Sequence, residues 1–226
     1  MKAIKKQMLS LPHMKRLVHK LKGIVRTFPG SGAYWDRRYD AGGNSGVGSY
    51  GKFAVFKAET LNAFVTRHAI SSVIEFGCGD GNQLATAAYP QYTGLDVSDA
   101  AISLCLQRFT NDETKTFKNI SDYSGEKADL ALSLDVIFHL VEDDIFEDYM
   151  RRLFSAAERY VIVYSSNSED AGADEVPHVR HRCFTDWVDT NMPNWKLSQI
   201  IPNRHPYTNN YRQGSFSDFF IYSATS

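Results

Sequence analysis

A glycine-rich turn that follows a short apolar segment carries the strongest chemical signal in the sequence. Residues 73–82 read VIEFGCGDGN, which places Glu75 ahead of Gly77, Gly79 and Gly81 in the pattern E-x-G-x-G-x-G. Glycine lets the backbone turn tightly and approach a ligand with no Cβ in the way. Such a turn is weak evidence by itself, because a purely structural turn uses the same residues.

A second acidic residue ends the next apolar segment. Residues 92–98 read YTGLDVS, so Asp96 stands about twenty residues after the glycine turn, a spacing at which a carboxylate can accept hydrogen bonds from two ribose hydroxyls. An acid after a strand can also cap a helix, and Ser98 could do so as well. In combination, the turn and Asp96 indicate a nucleoside ligand at the carboxyl ends of two neighbouring strands.

The spacing of the glycines distinguishes two kinds of nucleoside ligand. A dinucleotide oxidoreductase would carry G-x-G-x-x-G, whereas this turn has G-x-G-x-G with an acid two residues before its first glycine. That pattern resembles the class I S-adenosylmethionine-dependent methyltransferases, over roughly residues 72–167. The resemblance implies S-adenosyl-L-methionine as cofactor, with the glycine turn under its methionine part, Asp96 on the ribose, and Ile120, Ser121 and Asp122 beside the adenine.

The resemblance also implies a wider set of cofactor contacts. The glycine-rich residues 29–51 are expected to form a lid loop that closes over the ligand, and the segment after the fourth strand is expected to face the methyl group. The predicted cofactor-binding residues are Trp35, Arg38, Tyr50, Glu75, Gly77, Cys78, Gly79, Asp80, Asp96, Val97, Asp122, Asp135 and Val136.

Two side chains after the fourth predicted strand are the candidates for catalysis. Methyl transfer is an in-line displacement in which positioning supplies most of the acceleration, and a hydroxyl acceptor also benefits from a general base. His139 is the first candidate, because it follows the strand by five residues and histidine titrates near neutral pH. Asp135 is the alternative base. A histidine that only bonds the backbone is an equally good interpretation of His139.

A basic run after the fifth predicted strand is expected at the same edge of the sheet. Residues 176–182 read VPHVRHR, and residues 34–39 read YWDRRY. These two runs resemble bacterial methyltransferases of surface-polysaccharide synthesis, which implies a small-molecule or glycan acceptor, most simply its hydroxyl oxygen. The basic run suits an anionic acceptor, and a solvated loop is the alternative. Its predicted substrate-binding residues are His178, Arg180, His181 and Arg182.

Two other functions stay open at this point: an N-methyltransferase of a metabolite or protein side chain, and a non-catalytic cofactor-binding scaffold. No N/D-P-P-Y/F/W follows the fourth strand, which disfavours a base-flipping methyltransferase of nucleic acid. The fifth strand ends without an Asp-Asn pair, so we expect no metal, although Asp135 with Asn167 leaves a magnesium site open.

Short apolar strands alternate with helices from residue 72 onward, which predicts a parallel sheet covered on both faces. Strands are predicted at residues 72–76, 92–95, 116–118, 130–134 and 160–164, with two more at 195–201 and 219–223. Helices are predicted at residues 52–68, 82–88, 99–109 and 142–157. The predicted fold is α/β, a doubly wound seven-stranded Rossmann-like methyltransferase sheet with an antiparallel last strand.

The N-terminal residues 1–28 differ from the domain at residues 29–226. They contain eight Lys and Arg and no acid, so the remainder of a chain of net charge −1 carries −9. Apolar residues step by three or four there, which predicts a basic amphipathic helix. It could pack on the domain, lie on anionic lipid as a peripheral membrane contact, or serve as an organellar presequence.

The composition of the 226 residues limits the function further. A near-neutral net charge argues against a bulk nucleic-acid binder. Three scattered cysteines do not suit a disulfide framework or a cysteine-based zinc site. No segment approaches the length of a membrane span. We therefore expect a soluble cytoplasmic protein, with binding at the inner face of the membrane through residues 1–28 as an open alternative.

Overall fold

The computed structural model describes residues 28–169 and 176–225. Apart from Phe28, the predicted N-terminal helix lies outside these residues and stays a prediction. Within the described part of the chain, no helix is both long and apolar enough to cross a membrane.

Seven strands and five α-helices make up the described residues. The strands are β1 Ser72–Phe76, β2 Gln91–Asp96, β3 Lys115–Asn119, β4 Ala128–Leu134, β5 Ala157–Ser165, β6 Trp195–Ile201 and β7 Asp218–Ala224. The α-helices are α1 Ser31–Asp40, α2 Gly51–Arg67, α3 Asp99–Arg108, α4 Asp143–Ser155 and α5 Phe184–Asn191. Single 3₁₀ turns lie at Val47–Ser49, Leu84–Thr86, Ile120–Asp122 and Ile137–His139.

The seven strands form one sheet in the order β3-β2-β1-β4-β5-β7-β6. Strands β1 to β5 run parallel, and β7 runs antiparallel to both β5 and β6. This confirms the predicted α/β fold with a seven-stranded sheet and an antiparallel last strand. Because the carboxyl ends of β1 to β4 meet at one edge, the residues that follow these strands are brought together.

Side-chain alternation along the strands builds a core on each face of the sheet. Val73 of β1 packs with α2 and α3 on one face, whereas its neighbour Ile74 packs with α4 and α5 on the other. The buried residues of α4 recur at helical spacing: Phe146, Met150 and Leu153 are at most 3% exposed. The helices therefore hold the loops at the strand ends against a rigid sheet.

Two predicted elements differ in kind from the structure, and one helix of the structure was not predicted. The helix predicted at residues 82–88 is only the 3₁₀ turn Leu84–Thr86, because Ala87 is already extended, with φ −89° and ψ 144°. The lid predicted as a loop contains helix α1, since the glycine-free residues 33–41 lie within the glycine-rich stretch. Helix α5 was not predicted.

Candidate active site

A cavity of about 530 Å³ opens at the carboxyl ends of β1, β2 and β4, beneath α1. Ten of the residues predicted for cofactor binding or catalysis line it. They are Trp35, Glu75, Gly77, Cys78, Gly79, Asp96, Val97, Asp135, Val136 and His139.

The glycine turn forms the floor of this cavity in a conformation that glycine favours. Gly77 has φ +87° and Gly79 has φ +58°, both in the left-handed region. A Cβ on Gly77 would lie 2.5 Å from Cγ2 of Val136, and one on Gly79 would collide with Ser45 Oγ and lie 2.8 Å from the Tyr39 hydroxyl. Gly79 therefore lets the lid approach the turn closely.

Asp96 ends β2 beside the glycine turn. Its carboxylate accepts hydrogen bonds from the backbone N–H of Gly79 at 2.9 Å and of Ser98 at 3.0 Å. Burial raises its pKa to about 6, although these hydrogen bonds oppose the shift. The side chain thus faces the cavity as a buried acceptor, which is what the hydroxyls of a ribose need.

Glu75 is the other buried acid of the cavity floor. It is 4% exposed and accepts a hydrogen bond of 2.7 Å from the Tyr92 hydroxyl. Burial raises its pKa to about 7, and the bond to Tyr92 partly offsets the rise. Because the Tyr92 ring belongs to the core on the α2 side of the sheet, Glu75 ties the glycine turn to that core.

The lid is fastened to the glycine turn through Asp80. The Tyr50 hydroxyl donates to its carboxylate at 2.6 Å and the Ser45 N–H at 3.2 Å, while Ser45 Oγ accepts from the Asp80 N–H at 3.0 Å. The Tyr39 hydroxyl lies 2.9 Å from Ser45 Oγ. Tyr50 and Asp80 are thus hydrogen-bonded to each other, and neither lines the cavity. Their predicted contact with the cofactor stays a prediction.

The other end of the lid is fastened to Glu142. The backbone N–H and the hydroxyl of Ser31 donate to its two carboxylate oxygens at 3.0 and 2.6 Å. Arg38 does not line the cavity. Its guanidinium donates to the Asn44 carbonyl at 2.7 Å and lies over the Trp35 ring, 5.4 Å from the ring centroid. Helix α1 therefore closes the cavity with Trp35 and Tyr39.

The segment after β3 that was predicted to border the adenine reaches the cavity in part. Asn119, Ile120 and Ser121 line the cavity, whereas Asp122 is exposed and does not, because the side chains of a 3₁₀ turn point in different directions. The predicted contact of Asp122 with the adenine stays a prediction.

His139 lies in the cavity wall, four residues after Asp135. Its Nδ1 lies 2.9 Å from the His178 carbonyl, and its ring meets Trp35 edge-on at 4.8 Å between centroids. Burial lowers its pKa to about 4. A neutral ring that bonds a carbonyl carries its proton on Nδ1, so Nε2 is the nitrogen with a lone pair.

Asp135 pairs with a lysine that sequence reasoning missed. Its Oδ2 lies 2.8 Å from Lys57 Nζ, and the lysine side chain is fully buried. The signal was present in the helix: Phe53, Lys57 and Leu61 stand four residues apart and so share one face, and both apolar neighbours are buried. A charged residue on the buried face of a helix needs a partner.

The basic run after β5 lies outside the cavity lining. Arg180 and Arg182 lie 2.9 and 3.1 Å from Asp143 Oδ1, and both donate to the Val141 carbonyl. The His178 ring stacks on Tyr34 of the lid, and His181 Nδ1 lies 2.7 Å from Ser166 Oγ. The predicted contact of these four residues with an acceptor stays a prediction.

The described residues form no metal site. Over residues 28–169 and 176–225, no group of three His, Cys, Asp or Glu side chains is placed to hold a metal ion. Asn167 is the partner of Asp135 in the magnesium site left open by the sequence, and its amide oxygen instead accepts a hydrogen bond from the Thr185 N–H at 3.1 Å.

Comparison with known proteins identifies the family. Residues 50–205 match the family described as a methyltransferase domain, which is more than half of the chain. No curated protein sequence matches the chain.

Solved structures of methyltransferases share the fold. The N-methyltransferase NodS from Bradyrhizobium japonicum WM9, in complex with S-adenosyl-L-homocysteine, has a TM-score of 0.68 at 15% identity over 87% of this chain and 99% of its own. Magnesium protoporphyrin IX methyltransferase from Synechocystis PCC 6803, with bound S-adenosylmethionine, has a TM-score of 0.62 at 15% identity over 89% of this chain and 100% of its own.

The residues of the cavity fit a cofactor that contains a nucleoside. Asp96 offers a buried carboxylate, and Gly79 leaves the space that a Cβ would fill. The volume of about 530 Å³ falls in the range of cofactor sites. The chain therefore belongs to the methyltransferase-domain family and is an S-adenosylmethionine-dependent methyltransferase with the class I fold.

Proposed function

We propose that this enzyme methylates a hydroxyl oxygen of a small-molecule or glycan acceptor. The observation that carries the proposal is the setting of His139 in the cavity wall. Because Nδ1 is engaged by the His178 carbonyl at 2.9 Å, Nε2 is the atom that can accept a hydroxyl proton. A hydroxyl needs such an acceptor, since it does not ionise alone near neutral pH.

The proposed cofactor contacts follow from the cavity lining. Asp96 would accept the ribose hydroxyls, and the backbone of Gly77 and Gly79 would lie against the methionine part. When bound, S-adenosylmethionine supplies an electrophilic methyl group. Trp35 and Tyr39 cover the cavity from the lid, which excludes water from the reacting groups.

His139 would orient the acceptor and take its proton. Its lowered pKa, about 4 because of burial, keeps the ring neutral at physiological pH, so the lone pair is always available. A base of such low pKa is weak, and positioning would supply much of the rate. We therefore expect kcat to fall only as the pH is lowered through about 4, not near the ordinary pKa of histidine.

The charges around the cavity favour a neutral or cationic acceptor over an anionic one. Among the described residues, its lining holds two cationic side chains, Lys57 and Arg152. Both are paired at 2.8 Å, with Asp135 and Asp148. The remaining ionisable lining residues include the carboxyl groups of Glu75, Asp96 and Glu142.

The same acidic lining favours a second candidate, methylation of an amine. Acidic side chains attract the cationic form of an amine. The amine reacts in its neutral form and, once deprotonated, needs no base. Under this alternative His139 would only position the acceptor.

The experiment that tests the proposal is a screen for S-adenosylhomocysteine release. It offers matched pairs of acceptors, each with either a hydroxyl or an amine on the same carbon skeleton, to wild type and to His139→Ala. Hydroxyl methylation predicts that His139→Ala lowers kcat by roughly 10²–10⁴-fold and leaves cofactor affinity unchanged. Turnover of amines alone, with a much smaller loss of kcat in His139→Ala, would support the second candidate.

The cellular setting is a separate proposal. The resemblance to enzymes of surface-polysaccharide synthesis and the eight basic residues before residue 29 support a cytoplasmic enzyme held at the inner face of the membrane. Equal binding of the full chain and of a chain lacking residues 1–28 to anionic liposomes at low salt would contradict it.

A further inference from the structure

Lys57 is a buried lysine in the cavity wall to which the roles above give no task. Its side chain is fully buried and its Nζ lies 2.8 Å from Asp135 Oδ2. The same Nζ lies 5.2 Å from the centroid of the Tyr164 ring. Since burying an ammonium group is costly unless it is paired, the burial of Lys57 depends on Asp135.

Asp135 is held in one orientation from several sides. Its Oδ1 accepts a hydrogen bond of 2.9 Å from the Ser217 hydroxyl, and its backbone N–H donates to the Tyr164 carbonyl at 2.8 Å. Its φ of +58° is uncommon for a residue other than glycine, and such strain concentrates at functional sites. With Lys57, these contacts fix both carboxylate oxygens.

The lid meets the same carboxylate. A Cβ on Gly48 would lie 2.8 Å from Asp135 Oδ2, so the 3₁₀ turn Val47–Ser49 closes over the acid with backbone alone. The end of β4, the helix α2 and the lid therefore converge on one carboxylate that lines the cavity.

We infer that Lys57 is a positioning residue for methyl transfer, which holds the Asp135 carboxylate in one orientation where the lid closes on it. The inference rests on the proposed function in one respect, that the cavity holds the cofactor and the reacting groups. Without Lys57, Asp135 Oδ2 would lose its ion-pair partner and the carboxylate its fixed orientation.

The surroundings of the pair supply no substitute cation among the described residues. His139 is neutral near pH 7, because burial lowers its pKa to about 4. Ser217 is uncharged, and the acid Glu75 lies on the lysine side of the pair. The phenol of Tyr164 also stays neutral, since burial raises its pKa.

The test measures the affinity for S-adenosylhomocysteine by calorimetry, so it requires no acceptor. Lys57→Met keeps the length of the side chain and removes the charge, and we expect it to lower the affinity about tenfold, as the loss of a hydrogen bond to a charged group does. If Lys57 acts through Asp135, the double variant Lys57→Met/Asp135→Asn should bind S-adenosylhomocysteine as Asp135→Asn alone does, since no carboxylate remains to be positioned.

Two controls separate this role from a structural one. Lys52→Met changes an exposed lysine of the same helix and should leave the affinity unchanged, and thermal melting shows whether each variant is folded. If folded Lys57→Met binds S-adenosylhomocysteine as wild type does, or if the double variant binds less tightly than Asp135→Asn, the inference is wrong. If Lys57→Met does not fold, a double variant that folds and binds unlike Asp135→Asn also overturns it. If wild type itself binds no S-adenosylhomocysteine, the site assignment fails, and the inference with it.

Discussion

The glycine side and the arginine side of the site differ in what holds their residues in place. On the side of the glycine turn, Gly77, Gly79 and Asp96 lie where their pattern places them, in the cavity lining. On the opposite side, Arg180 and Arg182 follow the expected strand but bond Asp143 and backbone carbonyls outside the lining.

The difference lies in what determines each position. The left-handed backbone of the glycine turn is a local property that the residue type itself favours. The direction of an arginine side chain depends on which acceptors the folded chain offers nearby, and Asp143 and the carbonyl of Leu140 belong to a segment about forty residues away in the chain. If this comparison is correct, substitutions on the glycine side will affect cofactor binding far more than those on the arginine side.

Replacement of Gly79 by valine should have the largest effect. The new side chain would collide with the Ser45 hydroxyl and crowd Tyr39, so neither the turn nor the lid could keep its place. We expect calorimetry to show a loss of S-adenosylhomocysteine affinity of at least about 100-fold, which corresponds to about 2.7 kcal/mol. Gly51→Val is the matched control, because Gly51 has φ +54° with open space around its Cβ position; equal losses in both variants would mean that backbone strain alone is responsible.

Asp96→Asn should weaken binding less, by roughly 10–100-fold, since hydrogen bonds to a charged group contribute about 1.5–3 kcal/mol. Burial raises the pKa of Asp96 to about 6, and ribose hydroxyls donate best to the ionised form. Wild-type affinity should therefore decline as the pH is lowered through about 6, and this component should be absent from Asp96→Asn. An unchanged pH dependence in the variant would remove Asp96 from the site.

Much of the fold could be predicted because strand and helix periods are local. The bounds of β1 and β6 were predicted as observed, and the sheet order follows from the resemblance and the alternation of elements. The helix predicted after the glycine turn is a single 3₁₀ turn, which the extended Ala87 ends. Helix α1 was not predicted, because residues 29–51 were interpreted together as one glycine-rich loop.

The site could be predicted where local backbone conformation defines it. It could not be predicted where its residues are held by partners distant in the sequence. Lys57 could have been suspected from its place on a buried helix face, but nothing in the sequence names Asp135 as its partner, 78 residues away. Ser45 likewise reaches Asp80 only because the lid folds back on the turn. Such contacts depend on tertiary packing, which periodicity does not describe.

The arginine side should give the smallest effects on binding. Arg180 is half-exposed, so Arg180→Gln should cost at most about 1 kcal/mol of the free energy of unfolding. Arg182 is mostly buried and serves two carbonyls, so Arg182→Gln should cost about 1–3 kcal/mol. For both variants we expect S-adenosylhomocysteine affinity within about twofold of wild type, and a tenfold loss in Arg180→Gln would show that the comparison of the two sides is wrong.

The most direct test of the account is a crystal structure of the enzyme with S-adenosylhomocysteine. The account predicts a ribose within hydrogen-bonding distance of Asp96, the ligand against Gly77 and Gly79, and Trp35 and Tyr39 of the lid over it. A ligand bound elsewhere, or bound in this cavity with Asp96 out of contact, would contradict the central claim that this cavity is the cofactor site.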